Sequence, residues 1–192
     1  MRKKSLWLIA SVMVCLFLVA ACARDKEPAE LGIKAAEEAL SSAKGEIGKY
    51  VPDQLKGLEA AIKAAKEKFE KKEYTEALNA VKDLPGKVKE AAAAAAAKKA
   101  ELTKGWEAAS AEMPKMIEAI KGKVEELAKV KRLPAGVDKA KLEGAKAGLA
   151  EITQGWADAE GAFKGGNISD ALAKAKGLKD KAAEIMASLG IK

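Results

Sequence analysis

The chain contains no histidine. That absence removes Ser-His and Cys-His nucleophilic sites, the histidine-containing zinc patterns, the Glu-x-x-His di-iron signature of helical bundles and the c-type haem attachment motif. Its 2 cysteines, Cys15 and Cys22, both fall near the start, so no disulfide can staple the body of the chain and the fold must hold by packing alone. Aromatic residues are 4% of the chain. They are too sparse to interleave with a basic stripe, and nucleic acid is not an expected partner. No glycine loop has either standard phosphate-binding spacing. Carboxylates are plentiful, but the adjacent pairs Glu37-Glu38 and Glu125-Glu126 sit on polar helix faces. No cleft-building loops surround them, as an acid pair for glycoside chemistry would need. No metal site, no cofactor and no enzymatic activity are expected.

What is present begins with a three-zone leader. Arg2, Lys3 and Lys4 form a positive start, Leu6 to Leu18 an apolar run, and Ala20 and Ala21 a small-residue end. This is the layout of a secretory signal, and the apolar run is short of the ~20 residues of a membrane-spanning helix. Val19-Ala20-Ala21-Cys22 resembles the lipobox of bacterial lipoproteins. That resemblance implies a diacylglyceryl group on the Cys22 thiol, cleavage before Cys22, and acylation of the new amine. Two or more acyl chains make an attachment stable where one is marginal. Ala23 in place of Asp, in the sorting pattern of enteric bacteria, implies the outer membrane rather than the inner. The expected location is therefore the outer membrane, lipid-anchored and facing the periplasm.

With Arg2, Lys3 and Lys4 removed, 32 basic residues face 28 acidic ones, a net charge of +4 against +7 for the full chain. Lysine and glutamate are interspersed, as on solvated helix faces. Ala, Lys, Glu and Leu dominate, all good helix formers, and apolar residues recur in steps of three and four. Six such stripes are legible: Ile33, Ala36, Leu40, Ala43, Ile47 and Tyr50; then Leu55, Leu58, Ile62, Ala65 and Phe69; then Tyr74, Leu78, Val81 and Val88. The fourth runs through Leu102, Trp106, Ala109, Met113, Met116, Ile120, Val124 and Leu127. The fifth has Leu142, Ala145, Leu149, Ile152, Trp156, Ala159 and Phe163, and the sixth Ile168, Leu172, Ala175, Leu178, Ala182, Ile185 and Leu189.

Pro28 and Pro52 suit first helical positions. Lys71-Lys72-Glu73 makes a turn, Leu133 to Gly136 ends the fourth helix with Asp138 capping the next, and Gly165-Gly166 ends the fifth. Asn167 to Asp170 resembles a capping box. Pro85 reads as a kink or break and Pro114 as a kink. Phe69–Leu78 and Phe163–Leu172 form an internal repeat: an aromatic, a polar turn, then an acid-Ala-Leu run. The expected fold is all-α, an elongated antiparallel helical bundle of two three-helix units joined by a long Ala-rich helix over about 86–131, which at 1.5 Å per residue would span ~70 Å. The expected divisions are 1–21 for the leader, 22–27 for a lipidated start and short tether, and 28–98 and 99–192 for the two units.

A second echo pairs Leu102-Thr-Lys-Gly-Trp106 with Ile152-Thr-Gln-Gly-Trp156. The first reading is an aromatic layer shared with Phe163. The alternative is a pocket for a hydrophobic ligand at Trp106, Trp156 and Phe163, given room by Gly105 and Gly155.

Tyr50-Val-Pro-Asp-Gln-Leu55, Ala64, Phe69 and Glu73-Tyr74 with Ala77-Leu78 resemble a family of small helical bacterial envelope domains of unknown function. Those pair a Tyr-Ala-Pro-x-x-Leu opening with an Asp-Tyr-x-x-Ala turn. The likeness covers 29–90 and departs at Val51 and Glu73; that family often precedes a peptidoglycan-binding domain, which this chain lacks. The turn is also similar to a tetratricopeptide hairpin, without its 34-residue period. The leading expectation is a non-catalytic binding or scaffold lipoprotein of the cell envelope, with membrane lipid held through Cys22 and an envelope protein as partner. One alternative is a tether to peptidoglycan resembling the murein lipoprotein, joined through the terminal Lys192. The other is a carrier of a hydrophobic ligand between helices.

Overall fold

A computed structural model describes residues 24–191. Val19, Ala20, Ala21 and Cys22, with the rest of the leader, and Lys192 lie outside the described residues. Every regular element among the described residues is an α-helix: α1 Lys26–Tyr50, α2 Pro52–Glu70, α3 Tyr74–Val81, α4 Leu84–Lys129, α5 Lys139–Lys164 and α6 Ile168–Ser188. The chain divides into two compact units between Lys98 and Lys99, inside the uninterrupted 46-residue helix α4.

In the first unit, α1, α2 and α3 pack mutually. Their apolar stripes meet in a core of Ile33, Ala36, Leu40, Ile47, Leu58, Ile62, Ala65 and Val81, to which the start of α4 adds Leu84, Val88 and Ala91. In the second unit, the remainder of α4 supplies Trp106, Met113, Ile120, Val124 and Leu127 to a core completed by α5 and α6. Each large side chain buried this fully contributes about 1.5–3 kcal/mol. Burial is purely apolar: among the described residues no polar or charged side chain is buried. The ion pairs that cross between helices, Lys44–Glu59 at 2.7 Å, Lys66–Glu37, Lys179–Glu112 at 2.7 Å and Lys181–Glu151, are all substantially exposed. Pairs of that kind are worth about 0–1 kcal/mol each, so the cores dominate.

The connections follow from local chemistry. A single residue, Val51, separates α1 from α2. Pro52 disfavours helical backbone at Val51 and itself opens α2, where a missing N–H costs nothing. Asp138 has extended backbone (φ −108°, ψ 176°), and its carboxylate accepts the Lys141 backbone N–H at 2.7 Å. Such a cap is worth about 0.5–2 kcal/mol.

Several local expectations are corrected. Pro28 is the third residue of α1 rather than its first, because Lys26 and Glu27 already take helical backbone. Helix α1 therefore starts inside the segment expected to be a tether, with Ala29 fully buried. At Pro85 the alternative of a short break holds, placed just ahead of the proline: α3 ends at Val81, α4 begins at Leu84, and Pro85 is in its first turn. Helix α4 ends at Lys129, ahead of Leu133; as expected, it holds Pro114 in its interior. Asn167 makes no side-chain cap bond. Its N–H is tied back to the Ala162 carbonyl at 2.8 Å, and its ψ of 68° departs from the extended backbone that an N-cap side chain needs.

The internal repeat is reproduced atom for atom at the backbone. After α2, the N–H groups of Lys72 and Glu73 donate to the carbonyls of Phe69 and Lys68 at 2.9 and 3.0 Å; after α5, those of Gly166 and Asn167 donate to Phe163 and Ala162, both at 2.8 Å. Both are Schellman closures, which demand left-handed backbone at the residue past the cap. Gly166 adopts it with φ +77°, whereas Lys72 adopts it with φ +65° and a full side chain.

Candidate functional site

Two places in the described residues bear on function: the start of the first unit, which follows the Val19–Cys22 segment in sequence, and the aromatic layer of the second.

At the start of the first unit, Thr75 Oγ1 donates to Asp25 Oδ2 at 2.7 Å. This ties the residue just before α1 to the first turn of α3. Asp25 lies three residues after Cys22, a stretch that spans at most about 11 Å even when extended. The first unit thus begins within a few residues of Cys22 in sequence. Sequence reasoning missed this contact because Thr75 and Asp25 are 50 positions apart and neither stands on an apolar stripe.

In the second unit, Trp106 of α4 stacks on Trp156 of α5, with ring centroids 5.1 Å apart and planes 7° from parallel. It also stacks on Phe163, at 4.8 Å and 11°. Trp156 and Phe163 are seven residues apart on one helix, a rise of about 10.5 Å, close to the two ring separations laid end to end. Trp106 therefore sits between them in a three-ring stack. Trp106 and Trp156 are buried, Phe163 partly so.

The two Thr-x-Gly-Trp echoes place their other residues alike. Thr103 and Thr153 each donate their hydroxyl to the carbonyl four residues earlier, Lys99 and Leu149, both at 2.8 Å. A Cβ on Gly105 would come within 2.9 Å of Leu172 Cδ2, and one on Gly155 within 2.8 Å of Leu178 Cδ2. The room beside these glycines is thus taken by two leucines of α6, seated against α4 and α5. The stacked arrangement is the shared aromatic layer. That Leu172 and Leu178 fill the glycine notches was not legible in the sequence, since both also fit an ordinary helix stripe.

Two open grooves of the first unit run along the seam of α1 and α2. One, of about 440 Å³, is lined by Leu40, Ser41, Ile62 and Lys63 and bridged by the Lys44–Glu59 and Lys66–Glu37 pairs. A second, of about 340 Å³, shares Glu37 and Lys66 and ends at Glu30, Phe69 and Glu70. Both have apolar floors and charged rims of mixed sign. No group of three or more carboxylates or cysteines is placed to hold a metal ion among the described residues. No described helix is long and apolar enough to cross a membrane.

Comparison with protein-family models, with curated proteins and with solved structures gives no match to this chain.

Proposed function

We propose that the chain is a lipid-anchored envelope lipoprotein whose helical units serve a non-catalytic binding or scaffold role, presenting charged helix faces to another envelope protein from the periplasmic side of the outer membrane. The observation that carries this reading is the Val19-Ala20-Ala21-Cys22 motif at the end of an apolar leader. Three features of the folded part support it. The helical body begins within a few residues of Cys22, its interior is apolar throughout, and its grooves are shallow and bridged by ion pairs. Seating of Leu172 and Leu178 beside the tryptophans favours surface presentation over carriage of a ligand at that layer.

Comparing the wild-type chain with Cys22→Ala tests the reading. The wild type should carry an acyl mass and remain with the outer-membrane fraction, with a partner recovered after crosslinking. The variant should lose the acyl mass, keep its leader and be absent from the outer-membrane fraction. A Cys22→Ala chain that still reaches the outer-membrane fraction, or a wild-type chain without acylation, overturns it.

A further inference from the structure

The positive charge of the chain is concentrated in one short segment. From Cys22 onward, 32 basic residues face 28 acidic ones. Residues 129–141 hold five of the basic ones (Lys129, Lys131, Arg132, Lys139 and Lys141) and a single acid, Asp138. The excess of four in that segment equals the excess of the whole, so the remainder is balanced, 27 against 27. This segment is the end of α4, the connection to α5 and the first turn of α5, and all five cations are exposed.

The connection is braced rather than loose. Leu133 and Val137 pack against the core of the second unit, the Val137 N–H donates to the Pro134 carbonyl at 3.2 Å, and Lys141 Nζ donates to the Gly136 carbonyl at 2.7 Å. Val130 is left outside at 44% exposure, one of two large apolar side chains exposed among the described residues. It stands between Lys129 and Lys131. The acids of this end are accounted for: Asp138 caps α5, Glu126 pairs with Lys123 at 3.0 Å and Glu143 with Lys146 at 2.7 Å. That leaves Glu125 of α4 and Glu184 of α6. A Cβ on Gly148 would meet Ile185, and one on Gly155 would meet Leu178. In that antiparallel register the last residue of α6, Ser188, is level with about residue 145, so Lys141 and Lys139 stand about 6 and 9 Å beyond the end of α6. Glu184 is set back by a further turn. Helix stability does not account for Lys139 and Lys141, because cations at a helix N-terminus oppose its dipole.

We infer that the 129–141 segment is a contact for an anionic bilayer surface, with Lys129, Lys131, Arg132 and Lys139 against lipid headgroups and Val130 at the boundary beneath them. Each basic residue near an anionic surface gains attraction that fades within a Debye length. A bilayer interface supplies both halves of what the segment offers, since its anionic groups overlie hydrocarbon that takes a neighbouring aliphatic side chain. The inference goes beyond the anchor and does not rest on acylation of Cys22.

The abundance of lysine gives a site-resolved test on the full wild-type chain. It is acetylated sparingly with an N-hydroxysuccinimide ester, free, with vesicles of phosphatidylethanolamine and phosphatidylglycerol, or with vesicles of phosphatidylcholine alone, and each lysine is read by peptide mass spectrometry. Expected is several-fold slower modification of Lys129, Lys131 and Lys139 with phosphatidylglycerol, no such slowing with phosphatidylcholine, and an unchanged rate at Lys164, exposed at the other end of α5. Protection of Lys129 and Lys139 should be lost in Lys131→Glu/Arg132→Glu and reduced in Val130→Ser, which alter exposed side chains. Equal slowing at Lys164 and the loop, no slowing, or slowing indifferent to lipid charge overturns the inference. So does protection by poly-L-glutamate that matches or exceeds protection by lipid, which would assign the loop to an acidic protein surface. These comparisons use the wild type and stand whether or not a variant folds. Intact mass of the same samples reports Cys22 separately: an unacylated chain protected at the loop removes the lipoprotein reading alone, and an acylated chain unprotected there removes this contact alone.

Discussion

Exchanging Lys72 and Gly166 measures what the repeated closure costs. Both residues occupy the left-handed position of a Schellman turn with matching hydrogen bonds. Left-handed backbone costs a residue with a Cβ about 1–2 kcal/mol. Glycine avoids that cost but loses about 0.5–1 kcal/mol more conformational entropy on folding. Lys72→Gly should therefore stabilise the first unit by a net of about 0.5–1 kcal/mol. Gly166→Lys, the same exchange reversed, should destabilise the second by a similar amount. At roughly 4–8 °C per kcal/mol for a domain of 60–100 residues, the thermal midpoint should move by about 2–8 °C in opposite directions. Urea titration is the direct assay, with the midpoint shifting at constant slope. The units carry separate intrinsic probes, since the tyrosines are Tyr50 and Tyr74, while Trp106 and Trp156 lie in the second unit. An unchanged or lowered midpoint for Lys72→Gly would refute the reasoning, because it would mean that the lysine recovers its strain through a contact within the fold.

The packing sets three further outcomes. Trp106→Ala removes the middle ring of the stack and should cost the second unit about 3–5 kcal/mol, read by urea titration with Trp156 emission as the probe; a loss below about 1 kcal/mol would show the stack to be loose. Gly122→Ala, where a Cβ meets nothing within 4 Å, should stabilise α4 by up to about 1 kcal/mol, whereas Gly155→Val drives into Leu178 and should cost about 1–3 kcal/mol; thermal midpoints moving in the same direction would contradict the assigned contacts. Asp138→Ala removes the cap bond to Lys141 and should destabilise the start of α5 by about 0.5–2 kcal/mol, seen as faster amide exchange over Lys139–Leu142.

The helical class was legible because stripe and composition agree. Each residue named on the six stripes is buried or half-buried in the structure, since steps of three and four put one face of a helix against its neighbours. Legibility failed where one residue type can serve two roles. Alanine is as good on a solvated face as in a close contact, so full burial of Ala29, Ala77, Ala95 and Ala171 could not be read from their identity. Asn167 has capping chemistry, yet its backbone is committed to closing α5, and Asp138, with the same chemistry and free backbone, caps instead.

The sequence by itself determined which segments become helices and which face of each is apolar, because those are properties of neighbours along the chain. It also marks Cys22 as the one residue with a distinct chemical reading. Tertiary structure alone decided that Trp106 slots between Trp156 and Phe163, that leucines of α6 occupy the glycine notches, and that Asp25 meets Thr75. Those contacts join distant residues, and no local rule selects one partner among many equally apolar or polar ones. The same holds for Lys72. As a letter it is one lysine among many, and only the folded closure puts it in left-handed backbone at the end of the unit nearest Cys22.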